Sequence, residues 1–198
     1  LYTAQQGMCV VTWIPKPNGQ CVLTTNRDIS TNRLHSKPPQ KFDLKSTTLL
    51  YPIDPVGKGS WIASSKKSIV CLLNAQSAES HKNFTSSRGQ LVLDLCVNPS
   101  SFLSSENLNH YDAFQLVKIE YINKSLEHIS WDGSEIIITE LNWSKPNLWT
   151  SNTLYSETEE MEKMNRFRQL VKKNNPLSQS GNINFHVESE EYNFIEMA

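Results

Sequence analysis

The sequence predicts an α+β fold built on antiparallel strands. Two hairpin patterns open the chain, each made of two apolar, β-branched runs joined by a short polar turn. Helical patterns and further strand pairs follow in groups, without the regular β-α alternation that is typical of parallel sheets. The 198 residues suffice for one substantial domain with its own core.

The first hairpin covers residues 9–25, with the strands CVVTWI and CVLTT on either side of an Asn-Gly pair, a strong hairpin signal. A two-residue turn would place Cys9 opposite about Asp28, and a longer loop would place it opposite Asn26. Either register brings the Cys9 thiol close to the Asn-Arg-Asp triplet at 26–28.

The next elements follow from turn and cap signals. Residues 29–58 contain four prolines and are expected to be mostly loop. A second hairpin runs from GSWIAS through a Lys-Lys turn to SIVCLLN, which ends at Asn74. Residues 87–97 predict a helix with Ser86 or Ser87 as N-cap and an Asn-Pro stop. The remaining predicted elements are a short helix at 100–108, strands near 113–122, 125–131, 135–140 and 147–153, a helix over 156–173, and an edge strand or ordered end within 183–195.

No cofactor and no metal site are predicted. None of the four cysteines forms a C-x-x-C motif, and none of the five histidines has a partner four residues away. The histidines are interpreted as surface or core residues rather than ligands. The helix over 156–173 is expected to present a core face rather than a cofactor site, through Met161, Met164, Phe167, Leu170 and Val171.

The composition argues against several partner classes. A net charge of −1 gives no reason to expect a nucleic-acid or anionic-membrane surface. No apolar run approaches the roughly 20 residues of a membrane span, and no signal-peptide pattern opens the chain. We therefore expect a soluble, cytoplasmic protein; the oligomeric state is left open.

Residues 1–7, LYTAQQG, fit no pattern of their own and end in a glycine directly before Met8. We expect them to be the remnant of an expression tag, and Met8 to be the natural first residue. A single domain over 8–198 is expected to follow.

Cys9 allows two interpretations. In a strand, such a residue is ordinarily a small buried core thiol. If Met8 is the start, however, its removal makes Cys9 the chain terminus. The α-amino group, with a reference pKa of about 7.7–8.0, then lies beside the thiol and can serve as its general base, as in N-terminal nucleophiles.

The polar residues nearby are equally open to two interpretations. The triplet at 26–28 could be a solvated turn, but beside Cys9 the charges of Arg27 and Asp28 could both take part in catalysis. Arg27 would favour the thiolate or hold an oxyanion, and Asp28 would accept protons from the α-amino group. Asn74 ends an apolar strand and is either a strand cap or an oxyanion donor.

Five segments together resemble the NRDE family, also called transport and Golgi organisation protein 2-like. They occur in the family's order, although Ile29 stands where the family name has a glutamate, and Lys58 interrupts a Gly-Gly-Thr-Trp segment. The segments are MCVVTWIPKPNGQCVLTTNRD (8–28), GKGSWIASSKKSIVCLLN (57–74), SRGQLV (87–92), YDAFQLV (111–117) and LWTSNTLYS (148–156).

That family in turn resembles the cysteine-type N-terminal nucleophile (Ntn) hydrolases. The resemblance implies a four-layer αββα sandwich of antiparallel sheets. It also implies that Cys9 is the nucleophile and base, that Arg27 and Asp28 flank it, and that Asn74 is the oxyanion-hole asparagine. Asn152 would orient the amine and the substrate, although it could equally be a loop or strand-end amide.

Two functions follow as hypotheses. The first is a cysteine amidohydrolase that cleaves a non-peptide carbon–nitrogen amide of a small molecule. The alternative is a non-catalytic protein that binds an apolar ligand, such as haem or an acyl group of a lipid, in the same cleft. The two differ in whether Cys9 is indispensable.

Overall fold

The computed structural model describes residues 9–16, 19–27, 32, 34–44, 47–75, 84–98, 108–151, 157–174 and 192–197. The chain divides into two compact units. The first, which we call the terminal unit, combines Leu1–Ser30 with Trp143–Ala198, and the second, the central unit, is Thr31–Asn142. The prediction of a single domain over 8–198 stays a prediction.

The described elements are antiparallel strands and two helices, so the predicted α+β class is confirmed. In chain order they are β1 (Val10–Pro15), β2 (Cys21–Asn26), β3 (Lys37–Leu44), β4 (Thr47–Ile53), β5 (Ile62–Ser64), β6 (Ser68–Asn74), α1 (Arg88–Val97), β7 (Phe114–Glu120), β8 (Ser125–Trp131), β9 (Ile136–Leu141), β10 (Asn147–Thr150), α2 (Glu157–Asn174) and β11 (Tyr192–Met197).

The terminal unit holds a four-stranded antiparallel sheet in the order β10-β1-β2-β11. The inner strand β1 is buried on both faces from Val11 to Ile14. The indole N–H of Trp13 donates to the carbonyl of Trp143 at 2.9 Å, and the two rings meet edge to face. Of the two alternatives for the segment 183–195, the structure has an edge strand at its end: β11 pairs with β2 at the edge of this sheet, and residues 183–191 lie outside the described residues.

The hairpin β1–β2 has a register that neither prediction anticipated. Val10 pairs with Asn26 and Pro15 with Cys21, so three residues separate Lys16 from Gln20 rather than the two of a tight turn. The amide of Lys16 donates to Gln20 at 2.8 Å. Gly19 has φ +82°, the left-handed conformation that ends the common three-residue hairpin loop. Both predicted registers are therefore wrong by one residue.

The helix α2 confirms the predicted helix over 156–173 within one residue at each end. Phe167 is buried and the helix contacts β10. Met161, however, is 64% exposed, so the predicted core face does not include this residue.

The central unit holds a seven-stranded antiparallel sheet in the order β3-β4-β5-β6-β7-β8-β9. The helix α1 packs on β4, β5 and β6. Its apolar side chains join those of the sheet in one core cluster that includes Leu91, Leu95, Val70, Phe114 and Trp131. The predicted second hairpin, the helix over 87–97 and the strands near 113–122, 125–131 and 135–140 are confirmed.

The prediction that residues 29–58 are mostly loop is wrong, because β3 and β4 form a long hairpin there. The prolines that suggested a loop are compatible with an edge strand. Pro38 and Pro39 lie where the β3–β4 register shifts, and β3 is the outer strand of its sheet, so the missing N–H groups are tolerated there.

Ser87 is the N-cap of α1 and has an extended backbone, and Asn98 is its C-cap. The predicted helix at 100–108 lies outside the described residues except for Leu108. Within the described part of the chain, no helix is both long enough and apolar enough to span a membrane.

Candidate functional site

Cys9 lies at one end of the terminal-unit sheet, directly before β1. The amide of Ser151 donates to the carbonyl of Cys9 at 3.1 Å, which continues the β1–β10 pairing of Val10 with Thr150. On the other side, continuing the β1–β2 pairing by one residue places Cys9 beside Arg27. Arg27, Cys9 and Ser151 therefore lie next to one another, each one residue beyond the end of its strand (β2, β1 and β10), and we call them the Cys9 row.

The Cys9 row is partly shielded from water. Cys9 and Arg27 are half-buried, and the Nη1 atom of Arg27 is itself buried. Ser151 is only 1% exposed. An arginine opposite a half-buried cysteine would favour the charged thiolate wherever the guanidinium approaches the sulfur, because the attraction between unlike charges is less screened there than in open water.

The other three cysteines lie in apolar surroundings. Burial raises the pKa of Cys21 to about 11, although the charge of Lys16 partly opposes the shift. Burial also raises the pKa of Cys96 to about 12. The pKa of Cys71 is raised by burial and further by Cys96. These three thiols are therefore protonated at neutral pH.

The remaining predicted site residues are placed only in part. Asn74 is the last residue of β6, in the central unit, and pairs with Phe114. It is exposed. Asp28 and Asn152 lie outside the described residues. The residue before Asn152 is Ser151, whose amide binds Cys9.

A comparison with protein families matches residues 8–191 to the model for transport and Golgi organisation 2. The chain belongs to this family. The resemblance found in the sequence segments is thereby confirmed, and the match includes the whole Cys9 row. A comparison with curated proteins finds no match.

Three of the segments that resembled the transport and Golgi organisation 2 family meet in the central unit. The amide of Ser60 donates to the carbonyl of Gly89 at 3.0 Å. Arg88 donates to Asp112 at 3.1 Å and to the carbonyl of Ala113 at 2.8 Å. That carbonyl also accepts the amide of Ala75 at 3.2 Å, directly after β6.

These contacts form a junction between the segments 57–74, 87–92 and 111–117, and they give structural roles to the Arg-Gly pair at 88–89 and to Gly59. Arg88 is the first residue of α1, where a positive charge opposes the helix dipole and no acidic residue in the first turn offsets it. Its contacts with Asp112 and Ala113 give it another role, since they hold the start of α1 to the segment directly before β7. A β-carbon on Gly59 would lie 2.4 Å from the carbonyl carbon of Gly89, so the segments can cross this closely only with a glycine at position 59.

The structure adds one residue that the sequence analysis did not single out. Ser151 follows an apolar strand and precedes Asn152, and nothing in its local pattern distinguishes it from an ordinary strand-end serine. Only the pairing of β1 with β10, which joins residues 140 positions apart (Val10 with Thr150), brings it beside Cys9. Among the described residues, no group of three or more histidine, cysteine or acidic side chains could hold a metal ion.

Proposed function

We propose that this member of the transport and Golgi organisation 2 family is a cysteine hydrolase of the N-terminal nucleophile type. Its substrate would be a small molecule with a non-peptide amide bond. The observation that carries the proposal is the environment of Cys9. It is a half-buried thiol in register with an arginine, whereas burial raises the pKa of each of the other three thiols.

The chemistry requires that the residues before Cys9 be removed, so that its α-amino group is free. The amine takes the thiol proton while sulfur bonds to the amide carbon, and the carbonyl π electrons move to oxygen. Collapse of this adduct breaks the carbon–nitrogen bond, and the leaving amine takes the proton back. Water then adds to the thioester, which releases the acid and restores the thiol.

The other roles in this proposal come from the family resemblance. Arg27 favours the thiolate and Asp28 holds the α-amino group. Asn74 and a backbone N–H stabilise the oxyanion, and Asn152 orients the amine and the substrate. The four-layer αββα sandwich is part of the same proposal, and it is supported by an antiparallel sheet and a helix within each unit.

The test uses protein that begins at Cys9 and a panel of small acyl amides, with release of the amine as the readout. We expect turnover by this form, and its loss in Cys9→Ala. Cys21→Ala is the matched control, because it removes a thiol from the adjacent strand and should keep the activity. Turnover that survives Cys9→Ala would refute the proposal. Binding of an apolar ligand without turnover would support the non-catalytic alternative.

A further inference from the structure

We propose that Ser151 is a positioning residue for Cys9, and that its hydroxyl donates a hydrogen bond to the Cys9 sulfur and stabilises the thiolate. The inference rests on the proposed function, since it assumes that the Cys9 thiolate is the reactive species. It concerns only residues of the terminal-unit sheet.

The pairing geometry brings the two side chains together. The Ser151 amide donates to the Cys9 carbonyl at 3.1 Å, in line with the register of β1 and β10. In an antiparallel sheet, directly paired residues project their side chains to the same face, with β-carbons about 4.5–5.5 Å apart. A serine hydroxyl extends from the β-carbon by one bond, and so does a cysteine sulfur. The two atoms can therefore approach to hydrogen-bonding distance.

The burial of Ser151 favours a hydrogen bond from its hydroxyl. Ser151 is 1% exposed, and a buried hydroxyl is costly unless it is hydrogen-bonded. Its neighbours on the same face, by strand alternation, include the buried apolar Trp149 and Val11. On this face the paired Cys9 offers a polar atom, and a thiolate is a stronger acceptor than a neutral group.

The Cys9 row then acts on the sulfur from both neighbouring strands. On the β2 side, Arg27 supplies a positive charge. On the β10 side, Ser151 supplies a directional donor and also fixes the backbone through its amide. Removal of the hydroxyl should leave the charge of Arg27 in place, so the thiolate should become harder to form without losing all its reactivity.

The experiment measures the rate of Cys9 alkylation by iodoacetamide as a function of pH, with peptide mapping to isolate Cys9. For Ser151→Ala we expect the midpoint of this profile to move upward by about one pH unit, the size of one hydrogen bond to a charged group. Ser151→Thr and Ser151→Val form a second pair, of equal bulk, that differ in the hydroxyl. The threonine variant should keep a lower midpoint than the valine variant.

The control is Thr25→Val, which removes another buried hydroxyl from the same sheet, two residues from Arg27. It should leave the midpoint where it is. An unchanged midpoint in Ser151→Ala, or an equal shift in Thr25→Val, would overturn the inference. Because alkylation needs no substrate, this outcome is independent of amide turnover. A chain with the expected midpoints but no hydrolysis would refute the proposed function and leave the role of Ser151 intact.

Discussion

Cys9 differs from the other cysteines in the two properties that govern thiol reactivity, exposure and charge environment. Cys21, Cys71 and Cys96 are buried, and their raised pKa values keep them as neutral thiols at pH 7. Cys9 is half-buried beside Arg27. The thiolate is the nucleophile in alkylation, so the four sites should react in a definite order.

We predict that a limiting amount of iodoacetamide at pH 7 labels Cys9 first. Cys21 should follow only as the pH approaches about 11, the value to which burial raises its pKa. Peptide mapping over a series of pH values measures both. Early labelling of Cys71 would show instead that the central sheet opens readily, and would remove the main support for the assignment of Cys9.

His128 offers a pH test of the central unit. Burial lowers the pKa of His128 below its usual 6.5, and its Nε2 is hydrogen-bonded to Gln115 at 2.9 Å. Below about pH 6.5 the unfolded chain binds a proton that the folded site resists, so the free energy of unfolding falls as the pH falls. Above about pH 6.5 the histidine is neutral in both the folded and the unfolded chain, so it causes no loss of stability.

We predict that His128→Gln flattens this response. Urea unfolding at pH 7.5 and at pH 5 should show a smaller loss of stability in the variant than in the unaltered chain. His110→Gln, which changes an exposed histidine, should keep the original loss. The account of His128 fails if its variant retains the full difference between the two pH values.

At the scale of the elements, the crossing of the segments before β5 and at the start of α1 depends on close backbone contact. A β-carbon on Gly59 would meet the carbonyl carbon of Gly89 at 2.4 Å and its oxygen at 2.7 Å. The backbone of Gly89 is held in α1 and cannot move aside cheaply. The same added methyl on Gly57 would meet only side-chain oxygens, of Ser87 at 3.3 Å and Asp54 at 3.4 Å.

We therefore predict that Gly59→Ala lowers the free energy of unfolding by about 3 kcal/mol, as overpacking does at its upper range. Gly57→Ala, the matched control, should change it by less than about 1 kcal/mol. Urea denaturation of both variants provides the measurement. Similar stabilities for the two would mean that the segments separate easily, and the close crossing would then not fix the start of α1.

The elements also show which features the sequence could predict. Strong local signals located α1, whose helix is bounded by Ser87 and Asn98, and both strands of the Lys-Lys hairpin. The register of β1–β2 could not be read from its Asn-Gly pair, because hairpin loops of two and of three residues can both place a glycine with positive φ, such as Gly19, at that point. The prolines of β3 led to the wrong prediction of a loop. Proline lacks a backbone N–H, which an inner strand needs for pairing on both sides but an edge strand such as β3 does not.

The candidate site was predictable only where its residues are close in sequence. The hairpin brought Cys9 near Arg27 in any plausible register. Ser151 could not be identified from the sequence, because only the pairing of β1 with the distant strand β10 places it beside Cys9. Asn74 was singled out because it ends an apolar strand, and the structure shows that this last residue of the strand is exposed. The alternation of side chains along a strand predicts which face of the sheet each residue is on, but it does not predict which residues lie at the exposed end of the sheet.

At the scale of the whole molecule, the terminal unit is assembled from two distant parts of the chain. The central unit lies between β2 and β10 in sequence. The β1–β10 pairing therefore closes a loop of more than a hundred residues, which costs more conformational entropy than a hairpin of the same strand length. The Cys9 row is completed only when this long-range pairing has formed, so its reactivity should report on the folding of the whole terminal unit.

The central claim is that Cys9 with a free α-amino group is the nucleophile. The most direct measurement is the rate at which an activated acyl ester, p-nitrophenyl acetate, acylates Cys9, followed by intact mass and peptide mapping. It compares protein that begins at Cys9 with protein that retains the preceding residues, and Cys9→Ala protein beginning at residue 9 reports acylation of the amine alone. The account predicts acylation confined to residue 9 and at least about tenfold faster in the first form, as expected when a general base is present. Equal rates in the first two forms, a rate in Cys9→Ala equal to that of the first, or an acyl group on another cysteine would contradict it.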